Sequence, residues 1–165
     1  MDTVDTATRS KMMSAIRGKD TGPEMVVRRF LHGQGYRYRI HRKDLPGKPD
    51  IVIPRLKVCI FVHGCFWHRH SGCPFATTPK TRSEFWNEKF QGNVARDLAH
   101  IDALEAAGWN VLIIWECQLK KEPETLNGLE QKLRLLSSGK ASRGNSTAPS
   151  AGTCFGGYLH AKPSE

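Results

Sequence analysis

Apolar positions change rhythm several times along this chain, and each change marks an element. Met12, Met13 and Ile16 recur at helical spacing between Thr8 and Ile16, bracketed by Arg9, Lys11, Arg17 and Lys19, which predicts a short basic helix or arm. A second helix starts near Thr21 or Gly22, with Pro23 in its first position and Glu24 in its first turn. It buries Val27, Phe30 and Leu31 and stops at Gly35. The alternation Tyr36-Arg37-Tyr38-Arg39-Ile40-His41 predicts a strand with one wet face. Leu45-Pro46-Gly47-Lys48-Pro49 is turn chemistry, and it delivers Asp50 to a short strand, Ile51-Val52-Ile53. The nearly all-apolar run Val58-Cys59-Ile60-Phe61-Val62 predicts a central strand buried on both faces and ending at His63.

Periodicity then lapses over residues 64–82, a loop that something other than a core must order. Ser83 is placed as the cap of a long helix running to about Ala107, with Gly108 as its stop and Trp86, Phe90, Val94, Ile101 and Leu104 as its apolar stripe. Val111-Leu112-Ile113-Ile114-Trp115 is another strand, and Leu126, Leu129, Leu133 and Leu136 mark a last amphipathic helix. Glycine, serine, alanine and proline dominate from Ser137 onward, which predicts a flexible, low-complexity tail. The expected division is an N-terminal arm over residues 1–20, one domain over 21–136 and the tail over 137–165. The element order predicts an α/β fold, a mixed sheet flanked by helices.

Charge narrows the partners. Residues 1–63 hold 13 basic and 6 acidic side chains, so most of the net charge of +9 lies in the N-terminal part. A one-sided surplus suits a surface laid along phosphates better than an even one, with a solvated basic face as the plainer alternative. No apolar run is long enough to span a membrane, and the N-terminus lacks the basic-then-apolar pattern of a secretory signal, so a cytosolic chain is expected. In a reducing compartment cysteines are poor disulfide candidates and are read for metal binding.

Cys65, His68, His70 and Cys73 fall within nine residues, and Cys117 lies just past the strand ending at Trp115. Four soft or borderline donors make a closed tetrahedral zinc site. Spacing alone does not choose between His68 and His70. Cys59, inside the apolar strand, is core, and Cys154 is a thiol in the tail. Among the acids, Asp50 follows a Pro-Asp turn before a short strand, an arrangement by which nucleases present a magnesium ligand at a sheet edge. Asp97 falls inside the apolar stripe of the long helix, where a carboxylate needs a partner; His63 is one candidate, and a structural salt bridge is the alternative. His68 has the chemistry of a general base or of a zinc ligand. Phe66 and Trp67, side by side in the loop, and Trp86 can either pack as an aromatic minicore or wedge between base steps, which costs least at a mismatch.

The string His63-Gly64-Cys65-Phe66-Trp67-His68-Arg69-His70 comes with Ala7-Thr8-Arg9-Ser10-Lys11 and Leu45-Pro46-Gly47-Lys48-Pro49-Asp50. Glu84-Phe85-Trp86, Asn93-Val94-Ala95-Arg96-Asp97 and Trp115-Glu116-Cys117 follow in order. Together they make the chain resemble the very short patch repair endonucleases over about residues 5–136. The family often carries threonine where this chain has Val62, and some members are richer in histidine where it has Ser71-Gly72.

The resemblance implies a restriction-endonuclease-like core of the PD-(D/E)xK type with a structural zinc site, and strand-specific nicking beside a T:G mismatch left by deaminated 5-methylcytosine. It implies magnesium held by Asp50 and the main-chain carbonyl of Val62, with His68 as base or acid and Glu24, His63 and Asp97 around the metal. Zinc would be bound by Cys65, His70, Cys73 and Cys117. Phe66, Trp67 and Trp86 would enter the duplex, and the arm carrying Arg9 and Lys11 would reach over it. Mismatched double-stranded DNA is the implied partner, with mismatch-repair proteins and a DNA polymerase as further ones. A monomer in the bacterial cytosol, acting at the nucleoid, is expected. A catalytically silent mismatch- or DNA-binding module is the competing reading, and a zinc hydrolase of small molecules a third.

Overall fold

The computed structural model describes residues 5–14, 18–121 and 124–141. Along the chain come α1 (Thr6–Ser14), α2 (Gly22–Gly33), β1 (Arg39–Ile40), β2 (Ile51–Ile53), a 3-10 turn (Pro54–Leu56), β3 (Val58–His63), α3 (Ser83–Ala106), β4 (Asn110–Trp115), α4 (Glu116–Lys121) and α5 (Glu124–Ala141). The strands form one sheet in the order β1-β2-β3-β4, antiparallel among the first three and parallel between β3 and β4. A parallel neighbour needs a long crossover, and α3 supplies it. The result is a mixed α/β fold with helices flanking a four-stranded mixed sheet.

Both faces of the sheet are covered, which is why its central strands carry no polar alternation. Ile51, Ile53, Val58, Ile60, Leu112 and Ile114 point to one side, where Val27 and Leu31 of α2 and Leu129 and Leu133 of α5 close over them. On the other side Val52, Cys59 and Phe61 meet Leu104 of α3, and Ile113 and Trp115 meet Ile101 together with Cys65 and Cys117. Leu31 and Leu133 are fully buried, each stabilising the fold by about 1.5–3 kcal/mol.

Strand register sets the site. His63 pairs with Trp115 at the carboxyl ends of β3 and β4, so the segments that follow, 64–73 and α4, leave the sheet side by side. β2 runs the other way, Ile51 opposite Ile60, and therefore begins at this same end. Asp50 is thus brought to the edge where two parallel strands finish, the usual position of a ligand crevice in such sheets.

Local departures from the apolar pattern have local causes. The alternating run from Tyr36 yields a ladder only at Arg39–Ile40, because His41 takes a left-handed φ of +50 that a strand cannot continue through. Ser83 is the first helical residue of α3 and not its cap; Arg82 stands at the N-cap with φ +57 and no side-chain cap bond. The six-residue α4, absent from the apolar reading, begins directly after β4. Helix α5 continues past Leu136 to Ala141, and the remainder of the expected tail, 142–165, lies outside the described residues. By contrast α2 starts as its sequence dictates: Thr21 and Glu24 form a reciprocal capping box, and Gly35 leaves the helix at φ +80. Among the described residues no helix is long and apolar enough to cross a membrane.

Candidate active site and metal centre

A cleft of about 960 Å³ opens at the carboxyl ends of β3 and β4, lined by Asp50, Val62, His63, His68 and Asp97, with Glu24 on one wall. Asp50 arrives there behind the turn at Gly47. That glycine has φ +69, and a Cβ on it would lie 2.9 Å from the His100 side chain of α3. The Asp50 carboxylate accepts the Val62 N–H at 2.7 Å, so the antiparallel register itself aims it. Burial pushes its pKa up to about 6, with the nearby Glu24 carboxylate adding to the rise and His41 and Arg28 opposing it. Burial outweighs the nearby positive charges, so an ionised carboxylate here is undercompensated, and hard oxygen donors of this kind suit magnesium.

Opposite stands an imidazole pair. The rings of His63 and His68 stack with centroids 3.8 Å apart and planes 9° apart. Nδ1 of His68 lies 2.6 Å from Oδ2 of Asp97, so the hydrogen-bonded partner of this helix carboxylate is His68, not His63. The reason lies in the loop, which folds back over α3 and brings His68 between the strand end and Asp97. His63 is 4 % exposed, and its Nδ1 has no hydrogen-bond partner among the described residues. Burial, and secondarily the neighbouring His68, lowers its pKa to about 3, so the stacked partner stays neutral at ordinary pH.

Alternate residues of the same loop face the other way. Cys65, His70, Cys73 and Cys117 each offer a ligand atom, and these atoms all lie within 4.8 Å of one another. Nδ1 of His70 is 3.8 Å from the Cys65 sulfur and 3.2 Å from that of Cys117. These separations bracket the roughly 3.6 Å nitrogen–sulfur edge of a tetrahedron built on Zn–N bonds of about 2.0–2.1 Å and Zn–S bonds of about 2.3 Å. Burial and the neighbouring thiols push the Cys117 thiol up to about 12, so this sulfur resists ionising unless a cation sits beside it. The residues therefore fit a structural zinc. Geometry also answers what spacing left open: His70 joins the sulfurs, while His68 turns to Asp97. Trp115 stands between the two groups, stacked on His70 at 4.2 Å and edge-on to His63 at 5.4 Å.

Phe66, Trp67 and Trp86 form a half-buried aromatic cluster over Phe90, with ring centroids 5.1–6.2 Å apart. The Asn93 amide donates to the Trp67 carbonyl at 3.2 Å and ties the loop to α3. Sequence reasoning missed Arg69. Its guanidinium lies 4.5 Å from the Phe90 ring centroid and donates to the Thr77 carbonyl and the Thr78 hydroxyl, while its φ of +54 turns the chain between His68 and His70. No feature of the sequence signals a left-handed arginine. Lys43, Lys48 and His100, which also line the cleft, were equally unmarked. Of the arm, Gly18 and Lys19 reach the cleft wall; Lys11 is exposed on α1, and the Arg9 side chain lies outside the described residues.

Comparison with known proteins adds a separate line of observation. The family model "DNA mismatch endonuclease Vsr" matches residues 1–73. The chain is 48% identical over 126 residues to the type II nicking enzyme V.XorIIP of Xanthomonas oryzae pv. oryzae, an alignment covering 76% of this chain and 89% of that protein. It is 43% identical over 136 residues to the type II nicking enzyme V.NmeAIP of Neisseria meningitidis, covering 81% and 96%. To the DNA mismatch endonuclease Vsr of Escherichia coli K12 it is 46% identical over 133 residues, covering 80% of this chain and 85% of that one.

Proposed function

This chain belongs to the Vsr DNA mismatch endonuclease family and is a DNA nicking endonuclease, and from that premise we propose that it cuts one strand of duplex DNA beside a T:G mismatch. The observation that carries the proposal is the half-buried Asp50 carboxylate, braced by Val62, in the same cleft as the His68–Asp97 pair. Family membership removes the silent binding module as a rival. A filled Cys3His site would leave zinc no open position, which disfavours the zinc hydrolase.

In this reading Asp50 and the main-chain carbonyl of Val62 hold magnesium. A bound magnesium ion supplies charge neutralisation at the attacked phosphate and the leaving oxygen. Asp97 fixes the ring of His68 through Nδ1, so proton transfer at that imidazole runs through Nε2. His68 takes a proton from the attacking water or returns one to the leaving oxygen. His63, stacked and neutral, keeps a second positive charge away from His68 when it protonates. Asp97, and Glu24 from within its ion pair with Arg28, add negative charge around the metal without ligating it.

Phe66, Trp67 and Trp86 act as a wedge whose cost is lowest at a mispair. The arm, with Arg9 and Lys11, contacts the backbone ahead of a catalytic domain over 21–136 and a tail over 137–165. The antiparallel β1-β2-β3 followed by parallel β4, with Asp50 at the start of β2, supports a restriction-endonuclease-like core. The enzyme works as a monomer in the bacterial cytosol at the nucleoid, upstream of mismatch-repair proteins and a DNA polymerase.

The test is nicking of labelled duplexes carrying each mismatch in several contexts, with magnesium and without. T:G duplexes are expected to be cut, only with magnesium, and Asp50→Ala is expected to bind them without cutting. Undiminished nicking by that variant, or equal cutting of every mismatch, would reject the corresponding part of the proposal.

A further inference from the structure

Arg28 is buried in the middle of α2, 6 % exposed, in a chain whose other basic groups lie mainly at the surface. Both terminal nitrogens of its guanidinium are engaged, while its Nε has no hydrogen-bond partner among the described residues. Nη1 donates to Oδ1 of Asp20 at 2.5 Å, and Nη2 donates to Oε2 of Glu24 at 2.8 Å. Nη2 also lies 3.3 Å from Nε2 of His41, and that nitrogen is 3.2 Å from the same Asp20 oxygen. Glu24 in turn accepts the Asp20 N–H at 3.0 Å and the Thr21 hydroxyl at 2.8 Å. Two stretches of chain meet here: residues 20–28, which run from the end of the arm into α2, and His41, which follows β1. Two of the four, Asp20 and His41, hold left-handed φ values of +56 and +50, a region that aspartate and histidine enter more readily than most residues.

The donor set of Asp20, Glu24 and His41 resembles a metal site, but the guanidinium already occupies it, and a second cation there would be repelled. The cluster is instead a lock whose tumbler is an arginine. It abuts the cleft: Gly18, Lys19, Glu24 and His41 line the same wall as Asp50. Asp20 bonds to the rest of the molecule through this cluster, so its integrity bears on where the arm leaves the domain.

We propose that Arg28, with His41, is a positioning residue that latches Asp20 and thereby sets the course of the N-terminal arm along the cleft. The inference rests on the reading of residues 1–20 as a DNA-gripping arm. Removing one corner of a partly exposed ion pair opens the latch without exposing the core, since Asp20 retains 52 % side-chain exposure.

The test compares Asp20→Asn, His41→Ala and the double variant in the full chain. Hydrogen exchange at the Asp20 and Thr21 amides is expected to quicken about fivefold in each single variant, with no further gain in the double. Exchange within β3 stays as in the parent, which shows that the fold is intact. KM for mismatched duplex at saturating magnesium is expected to rise about as much as exchange quickens, kcat carrying the smaller share. Arg28→Lys keeps the charge but not the fork, and should fall between parent and Asp20→Asn. Unchanged exchange in both single variants overturns the latch. Faster exchange with an unchanged KM leaves Asp20 latched but overturns its proposed role in setting the arm on DNA, together with the arm reading on which that role rests.

Discussion

Two clusters of polar side chains flank one indole, and eleven residues of chain, 63–73, feed both. On one side of Trp115, Cys65, His70, Cys73 and Cys117 make a closed set of soft donors with no room for substrate. On the other, His63, His68 and Asp97 stand with Asp50 on an open cleft of hard donors and a polarised imidazole. The contrast separates two uses of the same residue types. Histidine beside sulfur and aromatic ring has the surroundings of scaffold, while histidine beside a carboxylate at a cleft is the group proposed to move protons. A single loop can serve both because its residues alternate in direction, turned by the left-handed Arg69.

The comparison makes one side dependent on the other, and the strongest way to break it is at the scaffold. Cys117→Ala removes one of four donors, and a structural zinc binds with about 10–16 kcal/mol, more than most of the roughly 5–15 kcal/mol that holds a domain together. Zinc content measured by elemental analysis should fall below one per chain, the thermal midpoint should collapse, and nicking should vanish although no cleft residue has changed. Retained nicking in a zinc-free variant would mean that the two sides are independent.

His68→Ala strikes the other side alone. Nicking should slow about 10²–10⁴-fold with zinc still at one per chain, as expected for loss of a positioned acid or base. Asp97→Asn leaves the ring in place but without its anionic partner, and a smaller loss of about 10- to 100-fold is expected in single-turnover assays. A larger effect at Asp97 than at His68 would assign the carboxylate a direct role in the chemistry.

The smallest effect concerns stability. The Asp50 carboxyl has its pKa raised from 3.8 to about 6, so between those values the folded chain keeps a proton that the unfolded chain has lost. Below pH 3.8 the group is neutral in both states and costs nothing; as pH rises through about 6 its ionisation in the fold removes stability. Asp50→Asn should therefore be more stable than the parent by about 2–3 kcal/mol at neutral pH without magnesium, and no more stable near pH 3. Urea unfolding across that range checks the sign, and added magnesium should narrow the gap by neutralising the parent's carboxylate.

The features of this site were unequally legible in the chain itself. The buried strands announce themselves as unbroken apolar runs, and Asp50 by the Pro-Asp turn before one of them. Dense cysteine and histidine between 65 and 73 signals metal without any fold. The identity of the proton-handling pair was not legible, because whether His63 or His68 reaches Asp97 depends on how a loop without periodicity folds back over α3. Arg28 was hidden for a related reason: a charged residue inside a helix of mixed polarity looks solvated until Asp20 and the more distant His41 close around it. Short α4, with six residues and no apolar rhythm of its own, follows β4 directly and is tied to α5 by the Thr125 hydroxyl, which donates to the Gln118 carbonyl.

The pairing of His63 with Trp115 acts as a common ruler for both clusters. Sliding β3 by one residue along β4 would carry the histidine off the cleft and shift Cys65 relative to Cys117 in the same stroke. Insertions and deletions should thus be tolerated beyond Cys73, in the stretch leading to α3, and excluded between Val58 and His70, where chain length doubles as a measure of distance.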